Sequence, residues 1–526
     1  MKTDAGALRL DCGSSATVSG PLRRKVEGGF LLLLIAAAFL LRVWGLSQAR
    51  FWDEAVYLQN AEVICCGKTN YSELDSRPPL LSLIFAGVFL VRNHVYAAGV
   101  TTALLNALGP ALLYLCGRSI VGRIPAAIAA LLLAFAPFFV GVFPPGFGSD
   151  DTGNSLLSDS PALTLMLVAV WFSLSALRKS MAVHFAIAGF FLGLTFLMRF
   201  ASLSTIAVLS LLIFAAPRRW RAALAWAVGF SVAVVPYLCW SRVRYGAFLA
   251  TVYNGWVYFQ GAQDSPSYYL KNFGNIFTWL TLAGLALWAG RWVWGRSKDA
   301  SGLRRGEPAT RLELFLWFWA AALLVFFSSL PHKEPRYVMP VGLPLFLLAG
   351  SGLSVLVGGR QRWSRVAGTV LLLAAFSCTV LPDRQRFESP FVDNSLSEEM
   401  RVSDFLSHAV PAGTVLYSNF NYPVFAYYTN LPIHRLLQTG PALYNELNHL
   451  PEDGILIAYR EQAGVADPRL SWLDSNPHFR RLQDFASLVL YRYRAESRRG
   501  SWTLRAQERG TAGCSGSPMR IEHDEQ

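Results

Sequence analysis

The sequence predicts a polytopic α-helical membrane protein that carries a small extracytoplasmic α/β domain near its carboxyl end. Three observations support this fold class. The 526-residue chain is 53% hydrophobic and only 15% charged, a charged fraction well below that of typical soluble domains. Apolar runs long enough to cross a bilayer as helices recur between residues 28 and 382. After residue 382 the pattern changes to short segments typical of alternating strands and helices.

Apolar segments of sufficient length predict eleven membrane spans. They are 28–46, 94–116, 123–143, 161–177, 182–198, 201–216, 222–241, 273–293, 312–330, 337–357 and 365–382. The segment 79–91 is short for a span, and we interpret it as an interfacial or re-entrant helix, with a spanning helix as the alternative.

The distribution of Lys and Arg among the loops predicts which side of the membrane each loop faces. If the amino terminus is cytoplasmic and 79–91 does not cross, every predicted inside loop is basic, including the cluster at 291–311. Cytoplasmic loops are enriched in Lys and Arg, so the net charge of +13 is explained without nucleic-acid binding. The outer face then receives the loops 47–93, 144–160, 242–272 and 331–336 and the turn at 199–200.

The same patterns predict four regions. They are a cytoplasmic segment 1–27, a transmembrane catalytic domain 28–382 with outer loop 47–93, an extracytoplasmic α/β domain 383–494, and a disordered tail 495–526. The first 25 residues have no hydrophobic core, so no separate signal peptide is predicted. The seven cysteines show no metal-ligand spacing and no disulfide framework, and Cys65 and Cys66 are neighbours poorly placed to bond to each other.

The first outer loop carries candidate catalytic residues. Asp53 and Glu54 directly follow the first span, where a partly shielded carboxylate can accept a proton from a hydroxyl. A water-exposed loop, or acids that cap a helix, are the alternative interpretations. Arg77 precedes two prolines at a predicted helix start, where a cation is unfavourable unless it binds an anion. A phosphate suits its planar guanidinium, and a lipid headgroup is the alternative.

Two further outer segments add charge. Asp159 lies just before the fourth span and is either a second functional carboxylate or a helix cap. The segment 331–337, PHKEPRY, concentrates charge between two spans and predicts an anionic ligand, with an interfacial cluster as the alternative. The predicted spans hold no Asp, Glu or Lys away from their ends, whereas ion-coupled transporters usually place their coupling sites near the midplane. We therefore predict a site at the outer interface.

These motifs, in this order, resemble the GT-C superfamily of membrane glycosyltransferases over residues 28–382. FWDEAVYL followed by SRPPLLSL resembles the first outer loop of protein O-mannosyltransferases and lipid A aminoarabinose transferases. LSDSPALTLML is similar to their second acidic site, and GLTFLMRF is similar to a further family segment. HKEPRYVMP is similar to the His-Lys-Glu motif of lumenal α-mannosyltransferases, which more often belongs to a different branch. The resemblance therefore leaves the sugar open.

The resemblance implies roles for individual residues. Asp53 would accept the proton of the acceptor, and Asp159 would position the acceptor or the donor; Glu54 joins them in the candidate catalytic group. The candidate ligands of the donor phosphate are Arg77, Arg199, Lys333 and Arg336, and the candidate lining residues are His332, Glu334 and Tyr337. The outer-loop aromatics Tyr253, Trp256, Tyr258, Tyr268 and Tyr269 are predicted to help hold the sugar or the acceptor.

The implied activity is an inverting hexosyl or pentosyl transfer from a polyprenyl-phosphate carrier to an acceptor hydroxyl at the outer face of the plasma membrane. The expected partners are that lipid-linked donor and a lipid, glycan or protein acceptor, and no nucleic acid. No cofactor and no dedicated metal site are expected, although a divalent cation between Asp53 and Asp159 is an alternative. The competing functions are a lipid or lipid-linked-sugar flippase, and a relative that binds the donor without transferring it.

Overall fold

The computed structural model describes residues 20–44, 52–140, 157–179, 181–257, 264–298, 307–358, 361–380, 398–436, 441–460 and 469–495. Two acids of the predicted outer loop 144–160, Asp150 and Asp151, lie outside the described residues. So do Tyr258 and the tail predicted to be disordered, apart from residue 495. The chain divides into two compact units. Unit 1 comprises Met1–Gly413 and Phe420–His434, and unit 2 comprises Thr414–Asn419 and Arg435–Gln526. The domain boundaries predicted from the sequence stay predictions.

Unit 1 is helical. Its α-helices are α1 Gly20–Trp44, α2 Trp52–Cys66, α3 Pro79–Val91, α4 Val95–Gly117, α5 Arg123–Phe135, α6 Pro137–Val140, α7 Asp159–Lys179, α8 Ala182–Met198, α9 Leu203–Ser210, α10 Arg219–Tyr245, α11 Ala250–Val257, α12 Tyr268–Lys271, α13 Phe273–Phe277, α14 Trp279–Lys298, α15 Glu307–Ser329, α16 Met339–Val357, α17 Arg362–Val380, α18 Glu398–Ala409 and α19 Tyr422–Thr429. Short 3-10 helices cover Phe200–Ser202, Leu211–Ala215 and Pro335–Val338.

Six helices among the described residues are long and apolar enough to cross a membrane. They are Arg24–Val43, Val95–Gly117, Asp159–Lys179, Arg219–Tyr245, Leu312–Ser329 and Pro335–Val357. Shorter apolar helices are Pro79–Val91, Arg123–Phe135, Ala182–Met198 and Phe200–Ala215. The described residues of each of the eleven predicted spans lie mainly in helices, which confirms a polytopic helical membrane protein, while the number of crossings stays a prediction.

Two predicted spans are interrupted. The helix that begins at Arg123 ends at Phe135, because Pro137 follows and the residue before a proline disfavours helical backbone. The predicted span 273–293 is divided at Thr278, whose φ of 70° lies in the left-handed region and separates α13 from α14. Both interruptions come from local backbone geometry that a count of apolar residues does not detect.

Close helix packing depends on glycine at α8 and α10. A Cβ on Gly189 would lie 2.0 Å from the carbonyl oxygen of Trp226, and one on Gly229 would lie 1.9 Å from that of Ala186. Small residues let two membrane helices approach until their backbones touch. The middle of α8, the helix that Arg199 follows, is thereby packed closely against α10.

The first outer loop packs against a segment that follows much later in the chain. The ring of Trp52 in α2 meets that of Tyr422 in α19 with centroids 4.4 Å apart. Asn70 Nδ2 donates to the carbonyl oxygen of Ala426, 356 positions later, at 2.8 Å. These contacts lie within unit 1, so the segment Phe420–His434 supports the loop that begins at α2.

The expectation about Cys65 and Cys66 was wrong, since a disulfide joins them in the structure. They are the last two residues of α2, and Gly67 follows with a positive φ of 71°. A helix end leaves the chain free to bring two neighbouring side chains together, and sequence adjacency alone did not reveal this.

A five-stranded sheet has the strand order β2-β1-β3-β5-β4, and its strands β1, β3, β4 and β5 belong to unit 2. The strands are β1 Val415–Ser418, β2 Ile433–Arg435, β3 Gly454–Tyr459, β4 Phe479–Asp484 and β5 Leu488–Tyr493, and the helices are α20 Pro441–Asn448 and α21 Leu470–Ser475. β1 is parallel to β3 with Val415 opposite Gly454, and β5 is antiparallel to both β3 and β4. All residues of β3 are buried, as expected of a central strand. These elements confirm the alternation of short strands and helices that the sequence predicts after residue 382.

Candidate active site

A cavity of about 520 Å³ lies within unit 1. Charged residues of its lining come from α2, the start of α7, the residue after α8 and the segment 331–337. Its lining also includes the apolar residues Leu203, Ala207, Val252, Phe326, Phe327 and Leu330. A concave apolar pocket with a few convergent polar groups is typical of a small-molecule site.

Asp53 lies in the first turn of α2 and is clamped by two arginines. Its Oδ1 is 2.9 Å from Nη2 of Arg77, and its Oδ2 is 2.7 Å from Nη1 of Arg336. Burial raises the pKa of Asp53, whereas the two guanidinium groups lower it by more. The net effect is a pKa below the usual value. Asp53 is therefore a carboxylate at neutral pH, with both oxygens occupied.

Arg77 is held by a second acid that the sequence analysis missed. Its Nε donates to Oε2 of Glu73 at 2.8 Å, and the Glu73 side chain is only 3% exposed. The Glu73 backbone amide donates to Oδ1 of Asn60 in α2 at 2.9 Å, which ties this part of the loop to the helix. The spacing of Glu73 and Arg77, with the acid four residues earlier, is the local signal that would have found this pair.

The second acidic site brings Asp159 and Arg199 together. Asp159 is the first residue of α7, and its carboxylate forms an ion pair with the Arg199 guanidinium. Arg199 ends α8 in extended backbone, and its guanidinium lies 5.1 Å from the centre of the Tyr337 ring. Tyr57 of α2 and Ser158 hydrogen-bond through their hydroxyls at 3.0 Å, which joins the first acidic site to the second.

The segment 331–337 forms a compact charge network around Glu334. Its carboxylate accepts from the Tyr337 hydroxyl at 3.0 Å, lies 2.9 Å from Nε2 of His332, and pairs with Nε of Arg336. The hydrogen bond to Glu334 raises the pKa of His332. Burial raises the pKa of Glu334, but Arg336 and His332 lower it well below its usual value. Glu334 is thus ionised and fixes the direction in which Arg336 points.

The cavity contains most of the predicted site residues. Those that line it are Asp53, Asp159, Arg77, Arg199, Arg336, His332, Glu334, Tyr337 and Trp256. Residues that the sequence analysis did not single out also line it, among them Tyr57 and Ser158. They lie beside Asp53 and Asp159 respectively, but their residue types carry no signal of their own.

Three groups of predicted residues lie outside this lining. Glu54 is buried and does not line the cavity. The ammonium of Lys333 donates to the backbone carbonyl oxygens of Asp264 at 2.9 Å and Leu330 at 2.5 Å. It therefore binds backbone groups and does not line the cavity. The aromatic residues Tyr253, Tyr268 and Tyr269 also lie outside the lining.

A divalent cation between Asp53 and Asp159 is the alternative that the sequence leaves open. Among the residues that the structure describes, no cluster of three or more His, Cys, Asp or Glu side chains is placed to hold a metal ion. Both carboxylates instead contact arginines, which would have to move before either could bind a cation.

The family model for dolichyl-phosphate-mannose-protein mannosyltransferase matches residues 76–240. The undecaprenyl phosphate-alpha-4-amino-4-deoxy-L-arabinose arabinosyl transferase of Pseudomonas aeruginosa (strain UCBPP-PA14) is 26% identical over 349 residues. That alignment covers 61% of this chain, and the chain spans only 59% of the relative's length.

Solved structures share the fold. ArnT from Cupriavidus metallidurans bound to undecaprenyl phosphate superposes with a TM-score of 0.61 at 17% identity, covering 88% of this chain and 98% of that one. The archaeal oligosaccharyltransferase AglB from Archaeoglobus fulgidus, in complex with an inhibitory peptide and a dolichol-phosphate, gives a TM-score of 0.51 at 14% identity. That match covers 78% of this chain and 64% of AglB. These similarities support the resemblance to the GT-C superfamily of membrane glycosyltransferases that the motifs indicate, and the structural matches show a shared fold.

Proposed function

We propose that this protein is an inverting glycosyltransferase that moves a sugar from a polyprenyl phosphate to an acceptor hydroxyl at the outer face of the membrane. The observation that carries the proposal is one cavity lined both by a carboxylate flanked by two arginines and by a group of apolar side chains, here called the apolar wall. The name of the curated relative, which specifies an undecaprenyl phosphate-linked sugar, supports the same class of donor.

The charged and the apolar lining residues match the two parts of such a donor. Arginine binds phosphate oxygens bidentately, and Arg77, Arg199 and Arg336 all face the cavity. The apolar wall, which includes Phe326 and Phe327, suits the first isoprene units of the lipid. The rest of the lipid chain would lie in the bilayer, because the cavity is too small for the whole molecule.

The reaction follows from this placement. The acceptor oxygen forms a bond to the anomeric carbon while Asp53 takes the hydroxyl proton. The bond from that carbon to the phosphate oxygen breaks, and its electron pair leaves with the polyprenyl phosphate. The arginines neutralise the charge that develops on the leaving phosphate. Attack opposite to the leaving group inverts the anomeric centre, and Asp53 later releases its proton to solvent.

We infer no requirement for a metal ion, because the arginines supply the positive charge that the leaving phosphate needs. Turnover in the presence of excess EDTA should equal turnover without it. A loss of activity that Mg²⁺ or Mn²⁺ restores would show that a cation takes part.

The type of sugar and the acceptor are finer parts of the proposal. The family description names a mannose donor, a hexose, and the curated relative names an arabinose, a pentose. A lipid, a glycan or a protein could each present a hydroxyl at the outer face. The outer placement rests on the basic inside loops, and labelling of cysteines introduced beside Asp264 in sealed vesicles would test it.

The experiment that tests the proposal uses the full chain in lipid nanodiscs with a panel of radiolabelled polyprenyl-phosphate sugars. The wild type should consume at least one donor when candidate acceptors are present. Asp53→Asn should lower that turnover by about 10²–10⁴-fold, the usual contribution of a general base, while still binding the donor. Equal donor consumption by both forms would contradict the role of Asp53, and a wild type that binds none of the donors would contradict the proposal.

A further inference from the structure

The two arginines that clamp Asp53 have the same arrangement. Arg77 contacts Asp53 through Nη2 at 2.9 Å and Glu73 through Nε at 2.8 Å. Arg336 contacts Asp53 through Nη1 at 2.7 Å and Glu334 through Nε. Each guanidinium therefore has one acid at its Nε edge, supplied by its own segment, and shares Asp53 at its far end.

The two acids that hold Arg77 differ in what can reach them. Asp53 lines the cavity, whereas Glu73 does not. Glu73 is buried, accepts a hydrogen bond from the Tyr71 hydroxyl, and is tied to α2 through Asn60. A ligand in the cavity therefore meets the Asp53 end of the Arg77 guanidinium, while the Glu73 end stays protected.

A phosphate in the cavity would compete with Asp53 for the exposed ends of both guanidinium groups. A phosphate offers several charged oxygens to each planar guanidinium group, and the resulting hydrogen bonds are bidentate and charge-assisted. Arg77 would not have to leave its place, because its Nε remains bound to Glu73. The same holds for Arg336 and Glu334.

We propose that the donor phosphate takes the Nη groups of Arg77 and Arg336 from Asp53 while Glu73 holds Arg77 in position, so that Asp53 is released as a base only when a donor is bound. Glu73 is then a positioning residue for the donor phosphate. This inference rests on the proposed function, because it concerns the same cavity and the same donor.

The exchange changes the proton affinity of Asp53. The charged and titratable groups that act on Asp53 are Arg77, Tyr57, Arg336, Glu334 and Tyr337. Burial and Glu334 raise the pKa of Asp53, and the two arginines lower it. Once the phosphate neutralises the arginines, the raising effects remain, and Asp53 accepts a proton more readily. An acceptor that arrives without a donor meets a carboxylate with little basicity.

The test compares two acids that contact the same arginine. Binding of undecaprenyl phosphate to the full chain in nanodiscs is measured for the wild type, Asp53→Asn and Glu73→Gln. Each substitution removes one negative charge and preserves the side-chain shape, so a purely electrostatic effect would tighten binding in both. The proposed exchange instead predicts that the two substitutions change the affinity for undecaprenyl phosphate in opposite directions. Asp53→Asn should bind roughly tenfold more tightly, because a competitor is lost, and Glu73→Gln roughly tenfold more weakly, because the anchor is lost.

The inference is overturned if Asp53→Asn binds no more tightly than the wild type, or if Glu73→Gln binds as well as the wild type. If the wild type itself does not bind undecaprenyl phosphate, the proposed donor class fails as well, so the two failures are distinguishable. Because Glu73 is buried, thermal unfolding of each variant is recorded.

Arg77→Lys provides a second test if Glu73→Gln does not fold. It keeps the positive charge, but a single ammonium lacks the separate Nε and Nη edges that Glu73 and a phosphate would occupy. Binding of undecaprenyl phosphate should weaken by about tenfold. Wild-type affinity in this variant would contradict the arrangement in which Arg77 binds Glu73 through Nε and the phosphate through its Nη groups.

Discussion

Asp53 and Asp159 line the same cavity but are held in different ways. Asp53 contacts two arginines from two separate segments, and each of those arginines has another acid as a partner. Asp159 begins a membrane helix and pairs with Arg199, which lies at the end of the neighbouring helix. One carboxylate belongs to a network of two arginines and two further acids, and the other belongs to a pair that joins two helix ends. Under the proposed function, this difference suits proton transfer by Asp53 and positioning by Asp159.

The largest expected effect separates the two acids directly. Asp53→Asn should reduce turnover by about 10²–10⁴-fold because the base is lost. Asp159→Asn should reduce it less, by about tenfold, because Arg199 loses its partner but the base remains. Steady-state kinetics on both variants with the same donor provide the measurement. Equal losses would show that the two acids act together and would break the comparison.

The second effect concerns the arginines that partner the two acids. Arg336→Lys should lower kcat/KM for the donor by about 10–100-fold, since lysine cannot contact Asp53 and Glu334 through separate edges. The matched substitution Arg199→Lys should cost less, because a single ammonium can still pair with Asp159. A larger loss of kcat/KM in Arg199→Lys than in Arg336→Lys would contradict this distinction.

The pH dependence of the rate should differ between free and donor-bound protein. Arg77 and Arg336 keep the pKa of Asp53 below its usual value in the donor-free state. Activity that needs ionised Asp53 is lost as pH falls through that pKa, so kcat/KM for the donor should hold to low pH. Donor binding raises the pKa, and the acidic limb of kcat should therefore lie at higher pH. Coincident limbs would argue against the exchange.

The smallest effect tests how the first outer loop is positioned. A Cβ on Gly255 in α11 would lie 2.7 Å from the carbonyl oxygen of Ser76, the residue before Arg77. Gly255→Ala should therefore displace Arg77 and lower turnover about tenfold. Gly87→Ala in α3 is the control, because a Cβ there meets nothing within 4 Å and alanine favours a helix. Similar turnover in both variants would indicate that the loop does not transmit the shift.

The contacts of the first outer loop show why some of the site could not be predicted. Glu73 lies four residues before Arg77, so a local sequence pattern could have predicted their pairing. The partner of Asp53 on the other side, Arg336, lies in a distant segment. Lys333 and Arg336 are three residues apart with the same charge, yet one caps backbone carbonyls and the other enters the cavity. The different contacts of Lys333 and Arg336 follow from the backbone path of the segment 331–337, which the charges of the two residues do not reveal.

The sequence by itself determined the membrane class, the helical segments, the basic character of several loops and the chemical types of the candidate site residues. These are local properties, because hydrophobic length and charge can be read from neighbouring residues. The tertiary structure alone decided that Arg77 and Arg336 meet at Asp53, that Asp159 meets Arg199, and that Phe420–His434 packs with the helical unit. Such meetings depend on how distant helices pack, and no local pattern specifies the distance between residues far apart in the chain.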